Sequence, residues 1–134
     1  MSISRLDHVN ICTTRLQDCI KFYGETLGLT IKHPPMSSDF SMGAYAYDEQ
    51  DIPVIHLVAA DREADSVEPI RGAAQRGMID HFALRCDDPD ALIERLTAHG
   101  HEFSRMDVPI ISRNLIFVRD PNGVMVELSS PMAS

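Results

Sequence analysis

Three histidines and one glutamate have the clearest capacity for chemistry in this sequence. His8 lies in LDHVNI, His56 in PVIHLVAA, His81 in IDHFAL and Glu127 in GVMVELSS. Neutral imidazoles and a carboxylate suit Zn, Ni, Co, Mn or Fe(II), and three or four protein ligands leave positions open for water or substrate. Taken singly, a strand histidine is usually a hydrogen-bonded structural residue, and a glutamate near a strand end is usually solvated. Glu127, however, interrupts the run Val-Met-Val-Glu-Leu, where burying a carboxylate is costly unless a cation or a hydrogen-bond partner compensates it.

An internal repeat links the four. LDHVNICTTRLQDCIKFY aligns with IDHFALRCDDPDALIERL, Leu6 falling on Ile79 at an offset of 73 residues. Asp7 and His8 then match Asp80 and His81, and Ile11 and Ile20 match Leu84 and Ile93. At the far end of each half, PVIHLVAA sets His56 where GVMVELSS sets Glu127, at an offset of 71. Two ordered matches at nearly one offset identify two copies of one supersecondary unit. All four candidate residues occupy equivalent places in those copies.

The elements that must position them follow from periodicity. Residues 5–12 alternate as a half-buried strand does. Thr13 or Thr14 can cap a helix whose apolar positions are Leu16, Ile20, Tyr23 and Leu27, with Gly28 as its stop. In the second half Asp88 is the expected N-cap, Pro89 the first helical residue, Leu92, Ile93 and Leu96 the stripe, and Gly100 the end. Three strands are expected after each helix: Leu29–Ile31, Ala44–Tyr47 and Pro53–Ala59, then Glu102–Arg105, Leu115–Val118 and Val124–Ser129. Asp120-Pro121-Asn122-Gly123 is a tight-turn signal between the last two. The α+β architecture is therefore two βαβββ modules in a single domain over 1–134. Module 1 covers about 5–60, a polar linker 61–77, and module 2 about 78–130. Strand alternation puts His8 on a face with Leu6 and Asn10, His56 with Val54 and Val58, His81 with Ile79 and Ala83, and Glu127 with Met125. Pseudo-symmetric pairing of the modules would bring the four to a common point.

Composition excludes some partners. A net charge of −8 is the wrong sign for a phosphate backbone, so no nucleic-acid partner is expected. No apolar run approaches the roughly 18 residues of a membrane helix, and the N-terminus MSISRLDHVNI has no signal-peptide pattern. Cys12, Cys19 and Cys86 are an odd set without CxxC spacing, which fits a reducing, cytoplasmic setting and small core residues. His33, His99 and His101 read as surface residues, and Arg85 as a solvated strand end. Arg113 is either solvated or reaches an anionic substrate.

LDHVNI, the FYGETLGL helix end and FVRDPNGVMVEL resemble the vicinal oxygen chelate superfamily, which includes glyoxalase I, methylmalonyl-CoA epimerase, fosfomycin-resistance proteins, extradiol dioxygenases and bleomycin-binding proteins. The resemblance covers nearly the whole chain. It implies a glyoxalase-like fold, in which paired βαβββ modules form an open eight-stranded barrel-like sheet around one divalent metal ion per site. The implied ligands fall on His8, His56, His81 and Glu127. Glyoxalase I usually has a carboxylate, and the epimerases glutamine, where this chain has His56. The glutathione-holding Arg of glyoxalase I is replaced in this region by Cys12.

The expected function is that of a metal-dependent isomerase or lyase acting on a small oxygenated metabolite or its thiol conjugate through a metal-stabilised enolate. Glu127, or His56 if it leaves the metal, would move the proton. Substrate would enter between loops 33–43 and 105–114, past Met36, Met42, Met106 and Ile110. One alternative is an Fe(II) extradiol-type dioxygenase using His8, His81 and Glu127, with His56 supporting them. Pro53-Val54 and Leu115-Ile116-Phe117 stand where that branch keeps its acid–base histidine and tyrosine. Another is a non-catalytic drug-binding protein. A homodimer is expected, since a two-module chain leaves an open sheet edge. Whether modules pair within a chain or swap between chains stays open.

Overall fold

The computed structural model describes residues 5–60 and 79–132, and the expected linker, 61–77, lies outside them. The chain divides into two units, one holding residues 5–60 and the other 79–132. In the first, β1 (Val9–Thr13) leads into α1 (Leu16–Ile20), a π-helical continuation (Lys21–Thr26), then β2 (Thr30–Lys32), β3 (Gly43–Tyr47) and β4 (Pro53–Ala59). The second runs β5 (His81–Arg85), α2 (Pro89–Ala98), β6 (Phe103–Val108), a 3₁₀ turn (Pro109–Ile111), β7 (Arg113–Arg119) and β8 (Met125–Pro131). The strands form two four-stranded sheets of identical order, β1-β4-β3-β2 and β5-β8-β7-β6. In each, the first strand pairs parallel with the last and the rest run antiparallel. This is the βαβββ module twice. Its hydrogen bonding gives two separate sheets rather than one continuous eight-stranded one. Among the described residues no helix is long and apolar enough to cross a membrane.

Alternation along the strands sends one face of each sheet inward. Ile11, Ala44, Ala46, Ile55 and Leu57 are buried in the first unit, as are Cys19, Phe22, Tyr23 and Thr26 of its helical segment. In the second unit the buried set is Leu92 and Leu96 of α2 with Ile116, Val118, Val126 and Leu128 of the sheet. The opposite sheet faces carry the candidate side chains.

Several local expectations need correction. The first helix buries Cys19, Phe22, Tyr23 and Thr26, whereas Leu16, Ile20 and Leu27 are only half-buried. The buried set also recurs at helical spacing, on a face rotated from the one that Leu16, Ile20 and Leu27 share. After Ile20 the pitch widens, and Leu27 N–H donates to the Phe22 carbonyl at 2.9 Å, five residues back. Neither threonine caps this helix. Thr13 Oγ1 instead accepts from Arg15 N–H at 2.9 Å, holding the turn that precedes it. Gly28, with φ of 87°, ends it as expected. In the second unit Asp88 accepts from Ala91 N–H at 3.1 Å, the capping contact its position implied. Asp120 holds the DPNG turn, its Oδ1 accepting from Asn122 and Val124 N–H at 2.8 Å each. The segment 105–114 is not all loop. β6 continues to Val108, paired with β7, although its exposed residues give no apolar alternation to announce it.

Gly43 is fixed by space. A Cβ there would run into the Leu57 carbonyl oxygen across the β3–β4 pair. Gly43→Ala is expected to cost about 1–3 kcal/mol or more, because backbone cannot yield as a side chain can. A lowered urea midpoint with unchanged slope would show it.

Candidate metal-ligand positions in two equivalent sheets

Register makes the two sheets directly comparable. In the first, Asn10, His56 and Tyr45 lie side by side across β1, β4 and β3. In the second, Ala83, Glu127 and Phe117 lie side by side across β5, β8 and β7. His56 and Glu127 therefore occupy the same position of the module, as the offset in sequence implied. His8 stands one residue before β1 and His81 begins β5.

Each first-strand histidine is held by the aspartate before it. His8 Nδ1–H donates to Asp7 Oδ2 at 2.7 Å, and His81 Nδ1–H to Asp80 Oδ2 at 2.8 Å. Such a bond fixes the ring and leaves Nε2 to face another partner. In the second unit that partner is Glu127, whose Oε1 lies 3.2 Å from His81 Nε2. The Asp80 bond first, aided by the charge of Glu127, raises the pKa of His81 above the usual imidazole value. Phe117 meets the His81 ring edge-on at 5.9 Å. Asp80→Asn is expected to bring the His81 pKa down, a shift visible by NMR titration of the metal-free protein.

The first unit is arranged differently. His8 and His56 are stacked, with ring centroids 3.8 Å apart and planes 13° apart. His56 Nε2 is buried and has no hydrogen-bond partner. Burial first, then the neighbouring His8, lowers the His56 pKa, so the ring is held neutral. The hydrogen bond from His8 holds the Asp7 carboxyl below its usual range.

Two of the expected contacts are thus present: His8 with His56, and His81 with Glu127. Among the described residues, no three or more His, Cys, Asp or Glu side chains gather as a metal-holding group. The donor chemistry nevertheless fits a divalent ion. Two ligand atoms about 2.0–2.1 Å from one tetrahedral ion lie about 3.3 Å apart, close to the 3.2 Å between His81 Nε2 and Glu127 Oε1. An orphaned, buried Nε2 on a neutral imidazole is likewise what a cation would satisfy.

The sequence reading missed the supporting residues. Asp7 and Asp80 were visible as a repeated Asp-His pair, whose meaning lay in the hydrogen bond. Tyr45 and Phe117 gave no signal, since their role depends on cross-strand register. Cys12, expected in the core, is exposed, because its strand position has the parity of Asn10; Cys19 is buried and Cys86 intermediate. None of the three is in a disulfide. His33, His99 and Arg85 are exposed as expected, whereas His101 and Arg113 are intermediate. Met36, Met42, Met106 and Ile110 are all exposed, Ile110 at 92%.

The chain matches the family described as Glyoxalase/Bleomycin resistance protein/Dioxygenase superfamily over residues 5–128. No curated protein gives a significant sequence match. Among solved structures, a glyoxylase/bleomycin resistance protein/dioxygenase domain from Frankia sp. EAN1pec is similar with a TM-score of 0.74 at 19% identity, covering 99% of this chain and 96% of that one. A putative glyoxalase family protein from Bacillus anthracis gives 0.71 at 20% identity, with 98% of each chain covered. TnmS3, an antibiotic binding protein from Streptomyces sp. CB03234, gives 0.62 at 21% identity, again with 98% of each chain covered. At such identities the likeness is one of fold.

Proposed function

Because the chain belongs to the Glyoxalase/Bleomycin resistance protein/Dioxygenase superfamily, we propose that it is a divalent-metal-dependent isomerase or lyase of the glyoxalase or epimerase type. Its substrate is a small oxygenated metabolite or the thiol conjugate of one. The observation that carries this reading is the Asp80–His81–Glu127 array, an oriented imidazole and a carboxylate oxygen at ligand-to-ligand spacing. His8, with Nδ1 occupied by Asp7, and His56, with its orphaned Nε2, would supply the remaining donors of the proposed set.

His8, His56, His81 and Glu127 would hold a divalent ion, and bound there it would supply Lewis-acid polarisation of adjacent substrate oxygens. The protein's own groups then move the proton. Glu127, with 16% of its side chain exposed, can accept it at the carboxylate and return it to the other face or the neighbouring atom. His56, if it leaves the metal, is the second candidate for that role, its neutral imidazole then offering the Nε2 lone pair. Asp7 and Asp80 keep His8 and His81 in the tautomer that presents Nε2.

The test is α-hydrogen exchange in deuterated water by metal-replete protein, with thiohemiacetals and acyl-CoA thioesters as probes. Exchange lost on chelation and restored by metal supports the reading; candidate substrates left unexchanged by fully loaded protein oppose it. The antibiotic-binding relative makes stoichiometric binding without catalysis the second reading. Purification without chelator separates them: metal retained by wild type and lost from His8→Ala supports the first. We place the protein in the cytoplasm, on its odd set of three cysteines without CxxC spacing, and expect a homodimer whose mass light scattering in solution would report.

A further inference from the structure

Tyr45 lies beside His56 in the β3–β4 register, its ring stacked on the imidazole with centroids 3.8 Å apart and planes 8° apart. His8 stacks on the other face of the same imidazole, also at 3.8 Å. β4 runs between β1 and β3, so His56 is sandwiched between neighbours on both sides. Nε2 is buried with no hydrogen-bond partner, so a proton there would be an orphaned donor; the proton belongs on Nδ1. Turning the ring over would bring Nδ1 and its proton to the buried place where Nε2 now lies. Two flat neighbours also restrict rotation about the bond that carries the ring.

Packing alone does not account for this contact. Phe117 holds the corresponding position in the second sheet, beside Glu127, and meets the His81 ring edge-on with planes 90° apart. The same place in the module thus carries an aromatic ring in two different uses. Only in the first sheet does it lie flat against the side chain next to it in register. A flat aromatic face also suits an imidazole that gains positive character when its lone pair is donated.

We infer that Tyr45 is a positioning residue: with His8 it clamps the His56 imidazole in the Nδ1–H tautomer, so that Nε2 is presented as an electron-pair donor. The clamp is a property of the first unit. Its effect on metal affinity rests on the function proposed above.

Wild type, Tyr45→Phe and Tyr45→Leu discriminate the idea. In metal-free protein, long-range ¹H–¹⁵N spectra read the His56 tautomer, with His56→Gln assigning the signal. The Nδ1–H form is expected in wild type and in Tyr45→Phe, and a mixture of tautomers in Tyr45→Leu. Zinc affinity, by competition with a chromophoric chelator, should be retained in Tyr45→Phe and weakened about 10–100-fold in Tyr45→Leu. A purely structural role would lower the melting temperature and leave tautomer and affinity alone, which overturns the inference. An Nε2–H tautomer in wild type overturns it too. If wild type binds no zinc, the metal reading falls, while the tautomer comparison still judges the clamp. Should Tyr45→Leu not fold, Tyr45→Val, with its strand propensity, carries the same comparison.

Discussion

Glu127→Ala is expected to leave a folded protein that retains no stoichiometric metal and has lost about 10²–10⁴-fold in α-proton exchange. The rate loss follows from removing a positioned general base, and the metal loss from removing the one carboxylate of the proposed donor set. Elemental analysis and deuterium incorporation read the two separately. Glu127→Gln keeps the shape of the side chain but not its charge or basicity, so it should retain more metal than alanine while remaining as slow. The metal-free variant carries its own control. Glu127 contributes to the raised pKa of His81, so removing it should lower that pKa. If Glu127→Ala binds metal as wild type does, the proposed donor set is wrong. If it binds none but exchanges α-protons at the wild-type rate, the metal-dependent mechanism is wrong.

Acidification is expected to have the next largest effect. Each imidazole that must release a proton before ligating contributes up to about tenfold in metal affinity per pH unit below its pKa. His81 and His56 do not enter together. His81, its pKa raised by Asp80 and Glu127, competes with metal from a higher pH than His56, whose pKa burial lowers. Affinity should therefore fall in stages as pH drops, and Asp80→Asn should move the first stage to lower pH. In metal-free protein the sign for stability differs between the two. The raised His81 pKa gives stabilisation fully present below its unfolded value near about 6.5, lost as pH rises through the folded value. The lowered His56 pKa gives stabilisation present above about 6.5, lost as pH falls through its folded value. Removing metal at neutral pH should accordingly narrow the pH range of greatest stability, as denaturant midpoints across the range would show.

Much of this arrangement was legible in the sequence because it depends on local patterns. The strands Pro53–Ala59 and Ala44–Tyr47, the Asp88 cap, the DPNG turn and the two glycine helix stops each follow from a few adjacent residues. The repeat then carried the equivalence of His56 and Glu127, which the strand registers reproduce. What escaped was set by neighbours in space. The face that the first helix buries, Cys19, Phe22, Tyr23 and Thr26, competes with an equally periodic one through Leu16, Ile20 and Leu27, and packing chooses between them. β6 extends through Arg105–Val108 by backbone pairing, with side chains too polar to advertise a strand. The stacking of Tyr45 and His8 on His56 needs three strands in register, and no single stretch of sequence contains it.

The paired rows Asn10–His56–Tyr45 and Ala83–Glu127–Phe117 have a consequence for how such a protein can change. Each row is one rung of a ladder whose backbone bonds are indifferent to the side chains that project from it. The inward-facing core lies on the neighbouring residues of the same strands, so a rung can be rewritten without repacking the interior. Exchanging nitrogen for oxygen at position 56, or oxygen for nitrogen at 127, changes the charge facing a ligand by one unit while the scaffold stays put. Two copies of the rung offer two such dials. In this chain one is set to a neutral donor and the other to an anion.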